Sequence, residues 1–399
     1  MAAGEQAGKG ALDGIRVVDL TRYLSGPLCT QNLGDMGAEV IKVEPLTGDP
    51  ARYNAPVVQD RSGYFPLLNR NKKSVALNMA TQEGREVMRR LVLWGDVLVE
   101  NFRPGVMARL GFDNEHIKSI NPRMIVVAVS GFGQTGPYSQ RAGFDFVVQA
   151  MVGGMSLTGD PDGPPVLAGG VLMDTIGGLY ATIGALAALQ GRQRTNEGQV
   201  VDASLYEGGL ITVANSIATF ARGMTPQRGV LTVAPAGTFQ SSDGIYIFIS
   251  AHDDSHFPLV ASLVGRPEMA QSPEYKTKAA RGRHVEELNL LLGEWASAHT
   301  IGEIEATLNE GGVPFGRVQS IEDVINCPHL EDRQSIVKVD HGAEKGLPML
   351  APHPRLSGTP SAIYSIAPHL GEHTDQVCHE ILGFSTDEIA QMREIKVVK

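Results

Sequence analysis

Two apolar runs, "IRVVDL" at 15–20 and "AEVIKVE" at 38–44, bracket the stretch "SGPLCTQNLGDMG". Each run is short and rich in β-branched residues, as a strand buried on both faces must be. Between them Pro27 suits a first helical turn, so a helix is expected from about Pro27. The result is a β-α-β unit, which restricts the chain to folds with a parallel sheet covered by helices. The pattern then repeats. Helical spacing over 83–95 leads to the strand-like "DVLVEN" (96–101), and "NEHIKSIN" (114–121) leads to the buried run "MIVVAVS" (124–130). "SVALNM", after "RNKK", is a further strand candidate. The fold class is therefore α/β with a parallel sheet.

A chain of 399 residues exceeds what one core needs, so two domains are expected. "TIGGLYATIGALAALQG" (175–191) reads as a small-residue helix suited to close packing, and "YEGGLITVANSIATFA" (206–221) as a second buried helix. From about 226 the texture changes. A hairpin is expected over 237–250, turning at Asp243-Gly244, followed by amphipathic helices over 285–299 and 301–312. The expected layout is a large domain over 11–225, a smaller α+β domain over 226–330, and a segment over 331–399. That segment, Pro-rich at first, is expected to return to the large domain and close with a helix near 384–394.

The first ten residues lack an apolar signal core and read as a disordered lead-in; no apolar run reaches the roughly 18 residues of a membrane helix. Cys29, Cys327 and Cys378 have no metal spacing and cannot all pair, which suits a reducing compartment; a cytoplasmic protein without membrane contact is the expectation. A net charge of -10 argues against a nucleic-acid surface, yet local basic clusters can still hold a phosphorylated small ligand.

"GFGQTG" (131–136) matches the dinucleotide fingerprint by pattern, but Pro137 follows and no crossover helix opens there. A turn that admits close backbone approach is the expectation. There is no H-E-x-x-H, C-x-x-C or G-x-S-x-G, so neither a metal nor a serine nucleophile is signalled. His373, in "GEHTD", reads as an ordinary surface or core histidine. Arg22, Lys42 and Arg103 fall at or near strand ends, where loops of an open α/β sheet line the ligand crevice; a fan of such cations suits phosphates. "GGVLMDTIGG" (169–178) holds a lone carboxylate, Asp174, among glycines and apolar residues. It reads as the N-cap of the helix from Thr175, or as a nucleophile toward an activated carbonyl.

These stretches together resemble the class III coenzyme A transferases, a family that includes formyl-CoA transferase, carnitine CoA-transferase and the α-methylacyl-CoA racemases. The resemblance is carried by "LDGIRVVDLTRYLSGP", "NLGDMGAEVIKVE", "NRNKKSVALNM", "DVLVENFRPGVMARLGF", "GFGQTGPYSQRAGFD", "GVLMDTIGG", "GQVVDASLYEG", "GVPFGRV" and "LGEHTD", in consistent order from about 12 to 376. It implies a Rossmann-like large domain with a smaller domain, two chains interlocked as a homodimer, and no permanently bound cofactor or metal. Coenzyme A thioesters are then substrates. It places the family aspartate at Asp174, which would form an acyl anhydride and then an aspartyl-CoA thioester. It places coenzyme A along Tyr23 and Leu24, then Leu77, Asn78, Met79 and Ala80, then Asn101, Phe102, Arg103 and Arg109, with Phe144 nearby. A basic residue that helps hold CoA in formyl-CoA transferase falls at Pro45, with Lys42 or Arg70 as substitutes. The racemases need a histidine in a "GHD" segment that here reads Gly143-Phe144-Asp145, so racemisation is the alternative rather than the expectation. "VAPAGTF" (233–239) replaces the glycine-rich loop that closes over oxalate. The expected activity is CoA transfer from a donor such as succinyl-CoA to a small carboxylic acid, a dicarboxylate above all.

Overall fold

Six short runs pair side by side in the computed structural model, which describes residues 10–58, 61–229, 231, 233–341 and 344–399. The lead-in expected over the first ten residues lies almost wholly outside them. In chain order the large unit contains β1 (Arg16–Asp19), α1 (Ser25–Asp35), β2 (Glu39–Glu44), β3 (Lys72–Ala76), α2 (Gln82–Trp94) and β4 (Val97–Glu100). Then come α3 (Asn114–Ile120), β5 (Ile125–Ser130), α4 (Asp145–Met151), α5 (Leu172–Thr195) and β6 (Val200–Ser204). The strands pair in the order β3-β2-β1-β4-β5-β6, every pair parallel. The order reverses between β1 and β4, the arrangement of doubly wound dinucleotide folds.

Period-two alternation explains why both faces are apolar. Val18, Ile41, Val75 and Leu98 pack against Val87, Met88 and Leu91 of α2 on one face. Val17, Val40, Val97 and Val127 meet Cys29 and Leu33 of α1 and Ala181 and Ala185 of α5 on the other. The small residues of α5 permit a close crossing with α1. A Cβ on Gly178 would lie 2.6 Å from the Ser25 carbonyl oxygen, nearer than any side chain there can sit.

Several expectations are corrected. Helix α1 starts at Ser25, two residues before Pro27. The stretch 206–221 is no continuous buried helix: it breaks into Leu205–Gly209, Leu210–Val213 and Ala214–Phe220. Val213, at φ -115° and ψ 10°, interrupts it, and Ile211 and Phe220 are 62% and 70% exposed. Strand β6 had no separate signal, because its apolar run is only two valines before Asp202, and Val200 and Asp202 are exposed. Helix α5, at 24 residues, is also long and apolar enough to cross a membrane by length and composition, contrary to the expectation that no segment is. Its leucines, isoleucines and alanines raise the hydropathy, while glycines and threonines keep it from being an unbroken greasy run. In this fold it packs on β5, β6 and α1.

The described residues fall into two units, one within Met1–Gly159, Pro164–Pro226 and Arg333–Lys399, the other within Asp160–Gly163 and Gln227–Asp332. The excursion at Asp160–Gly163 has no signal in the sequence. The second unit holds an antiparallel sheet of β7 (Ala236–Gln240), β8 (Tyr246–Ser250) and β9 (Phe315–Arg317), with helices α6 (Val285–Ser297) and α7 (Ile301–Glu310). Its core joins Ile247 and Ile249 to Leu292, Ile304 and Leu308. The final segment adds a hairpin, β10 (Ile336–His341) with β11 (Glu344–Leu350), and ends in α8 (Thr386–Glu394). It lies on the large unit: Asn78 N donates to Val397 O, and Ile389 and Met392 join the α2 core.

Candidate active site

The loops that leave β1, β4 and β5 at their carboxyl ends enclose a cavity of about 260 Å³ at the reversal of strand order. Open α/β sheets bind ligands at this place. Arg22 and Tyr23 come from β1, Asn101 to Pro104 from β4, Ser130 and Gly131 from β5, and Arg141 and Phe144 from the loop after it. Asp174 enters from the start of α5.

Asn101 joins two of these loops. Its Oδ1 accepts from Arg22 N (2.8 Å) and its Nδ2 donates to Arg22 O (2.7 Å). Tyr23 follows in the left-handed region at φ 63°, a conformation that costs a non-glycine residue about 1 kcal/mol or more. Asp49 Oδ1 holds its N–H at 3.2 Å, and its ring meets Phe144 edge-on at 6.2 Å. Beneath them Asp19 is fully buried. It accepts from Thr21 N and Oγ1, from Thr30 Oγ1, and from Lys72 Nζ at 2.9 Å. Burial opposes its charge, but Lys72 and Lys42 prevail and hold its carboxyl at about 2.

Asp174 is not an N-cap, which corrects one of its two readings. The helix starts at Leu172, so Asp174 is its third residue. Asp145 supplies the cap from α4: its Oδ2 accepts from Met173 N (2.6 Å) and Asp174 N (3.0 Å). Gln149 Nε2 in turn donates to Asp145 Oδ1 at 2.6 Å. The Asp174 side chain is thus free of capping duty. Burial, seconded by the charge of Asp145, pushes its carboxyl up to about 6, so the helix N-terminus does not win. The group is ionised at neutral pH and poorly solvated, as a carboxylate nucleophile should be. Asp145→Asn keeps an acceptor for the cap and removes the repelling charge. The acid limb of turnover, expected near pH 6, should then move down by less than about one unit in a pH–rate profile, because burial remains the larger cause.

Two neighbours carried no sequence signal. Tyr64 is near enough that burial and the charges of Asp174, Asp49 and Asp145 keep its phenol protonated. Glu100, at the end of β4, accepts from Phe102 N at 2.7 Å; burial and then Asp202 push its carboxyl up to about 7. Neither lines the cavity itself; Glu100 ends the strand just before Asn101, and Tyr64 is within electrostatic reach of Asp174. The "GFGQTG" loop is a turn, with Gly133 at φ 86° and Gln134 N donating to Asp202; the next helix is α4.

The model of "CoA-transferase family III" matches residues 12–374. The chain belongs to CoA-transferase family III. The "Succinyl-CoA--D-citramalate CoA-transferase" of Chloroflexus aurantiacus is 39% identical over 97% of this chain and 98% of its own. The human "Succinyl-CoA:glutarate CoA-transferase" is 33% identical over 97% of this chain and 90% of its own. A crystal structure of a CAIB/BAIF family protein from Brucella suis superposes with a TM-score of 0.82 at 36% identity, covering 94% of this chain and all of that one. The protein is an enzyme of this class, and coenzyme A thioesters are its class of substrate.

The transferase does not bring all the expected CoA residues to one place. Tyr23, Asn101, Phe102, Arg103 and Phe144 line the cavity with Asp174, and Leu24 is buried next to Tyr23. Leu77 to Ala80 lie beyond the edge strand β3, where Leu77 bridges to Val398, and Arg109 ends the short helix Val106–Arg109; none lines the cavity. Lys42 and Arg70 are corrected as phosphate ligands. Lys42 is fully buried, paired with Asp49 (3.0 Å) and donating to Thr21 O (2.8 Å). Arg70 is 3% exposed and grips Asp35 through two N–H groups (2.9 and 2.6 Å); it precedes β3, at the opposite end of the sheet from the cavity. Cys29 and Cys378 are buried free thiols, and His373 Nδ1 accepts from Ser74 N.

Proposed function

We propose that this transferase moves coenzyme A from succinyl-CoA, or a similar donor, to a small dicarboxylic acid through covalent chemistry at Asp174. One observation carries this reading. Among the described residues the only carboxylate lining the cavity is Asp174, poorly solvated at a helix start, and it faces an opening lined by three arginines without acid partners among those residues: Arg22, Arg103 and Arg141. The carboxylate supplies a nucleophile, and the arginines supply charge for substrate phosphates and carboxylates.

The steps balance without water or an external proton. An Asp174 oxygen attacks the thioester carbonyl, the C–S bond breaks, and CoA thiolate leaves a mixed anhydride. The thiolate attacks the aspartyl carbonyl and expels the first acid, leaving an aspartyl-CoA thioester. The acceptor carboxylate displaces the thiolate to form a second anhydride. The thiolate then attacks the acceptor's acyl carbon and frees Asp174. Phe144, where a racemase would carry its histidine, offers no base.

Two chains assemble as a homodimer in this reading. Leu179, Tyr180 and Ile183 of α5, with Ile211, Ile217 and Phe220, leave a large apolar surface exposed on the single chain, as an interface would. Incubation with succinyl-CoA followed by hydroxylamine and peptide mapping tests the chemistry. A hydroxamate is expected at Asp174; an unmodified Asp174 in protein shown to bind CoA would overturn the covalent route.

A further inference from the structure

Buried or half-buried arginines in this chain are generally matched to acids. Arg52 is paired with Glu44, Arg70 with Asp35, Arg192 with Asp96 and Arg281 with Asp254. Arg22 is not. It is half-buried, it lines the cavity with Asp174, and its guanidinium has no hydrogen bond or ion pair with any described residue. Yet it is held firmly. Asn101 fixes its backbone from both sides, and the guanidinium lies over the Phe102 ring, 4.9 Å from the centroid. That stack occupies a face of the guanidinium plane. It leaves the N–H edge, which grips carboxylates in a bidentate fork, without a partner.

The two other unpaired arginines of the cavity differ. Arg103 and Arg141 are exposed, and Arg141 stacks on Tyr138 at 4.8 Å. Cations that remain in water suit the phosphates of coenzyme A, which also stay solvated. A half-buried, oriented guanidinium discriminates more sharply, because its charge acts through a lower effective dielectric. The cavity, at about 260 Å³, is below the usual range of roughly 300–1,000 Å³ for small-molecule sites. It is far too small for a whole acyl-CoA and suited to the acyl end.

We propose that Arg22 binds the free carboxylate of a dicarboxylic acyl group while the other carboxyl carbon reacts at Asp174. This rests on the dicarboxylate transfer proposed above and assigns its selectivity to one residue. Donor and acceptor react at the same aspartate, so the free carboxylate of each occupies Arg22 in turn. A single arginine thereby sets the preference of both half-reactions.

The test compares the wild type with Arg22→Gln and Arg22→Lys on two substrate pairs. One pair is succinyl-CoA with glutarate. The other is butyryl-CoA with pentanoate, which lack the second carboxylate. In Arg22→Gln the KM for succinyl-CoA and for glutarate should rise by about 10- to 100-fold, the loss expected for one charge-assisted contact. The monocarboxylic pair should lose far less, so the wild-type preference collapses. Arg22→Lys should fall between, since it keeps the charge and loses the planar fork. Equal losses on both pairs, or a preference left intact, would overturn the assignment. Equal losses with weaker calorimetric binding of free CoA would place Arg22 on the phosphates instead. The underlying reading is checked separately, in the wild type alone, by the succinyl-CoA adduct at Asp174. An adduct together with an unchanged preference in Arg22→Gln sinks this proposal and leaves the transfer chemistry standing.

Discussion

Replacing Asp174 with asparagine should abolish CoA transfer, by on the order of 10³-fold or more, while making the folded protein more stable at neutral pH. Both effects come from one property. Burial and Asp145 push the Asp174 carboxyl up to about 6, above the ordinary carboxylate range near 3.8. Between those values the folded state binds more protons than the unfolded one. Stability therefore falls as pH rises from about 4 to about 6, and the full cost of the charge is present above pH 6. The carboxyl keeps some contact with solvent, so that cost is about 1–2 kcal/mol rather than the full value of the shift. Asp174→Asn should raise the melting temperature at pH 8 and match the wild type at pH 4. A variant that is inactive because it misfolds would show the opposite sign. Turnover that survived the substitution would remove Asp174 from the chemistry.

The second large effect lies under the site. Asp19→Ala should cost about 3–5 kcal/mol, read as a lowered urea midpoint, because it leaves the Lys72 ammonium buried without its counter-charge. Lys72 Nζ would keep only the neutral oxygens of Pro27 and Asn69, at 3.1 and 3.0 Å. Turnover should fall too, since Asp19 anchors Thr21, whose chain continues into Arg22 and Tyr23. The Asp19 carboxyl is held at about 2, below its unfolded value, so its contribution is complete above about pH 4. It is lost only as pH falls toward 2. A loss below about 1 kcal/mol would mean that water reaches the network.

Stability and activity thus pull together at Asp19 and in opposite directions at Asp174. Asp19 is surrounded by donors and is held charged at a benefit to the fold. Asp174 is given a neighbouring anion instead of a cation, and the fold carries that cost where the proposed chemistry calls for an ionised, reactive oxygen.

Local pattern was enough for the parallel sheet and for the candidate nucleophile. "IRVVDL", "AEVIKVE", "DVLVEN" and "MIVVAVS" became β1, β2, β4 and β5, because a strand buried on both faces carries apolar residues at successive positions and not only at alternate ones. Asp174 stood out because a charge among glycines and aliphatics is rare in any local context. Failures followed the same logic. The stretch 206–221 is apolar, but whether it is covered depends on a surface elsewhere. Asp174 looked like a cap because Asp145 lies 29 residues before it in the chain and reaches the helix only through α4.

The sharpest division concerns the cations. Arg22, Lys42, Arg70 and Arg103 looked alike by type and by their places in or beside predicted strands. Folding gives Lys42 to Asp49 and Arg70 to Asp35, and leaves Arg22 and Arg103 facing the cavity. Periodicity is a property of neighbours in the chain and can be read from it directly. Charge pairing is set by which acids arrive from distant segments, so only the tertiary structure decides which arginines and lysines are left to meet a substrate.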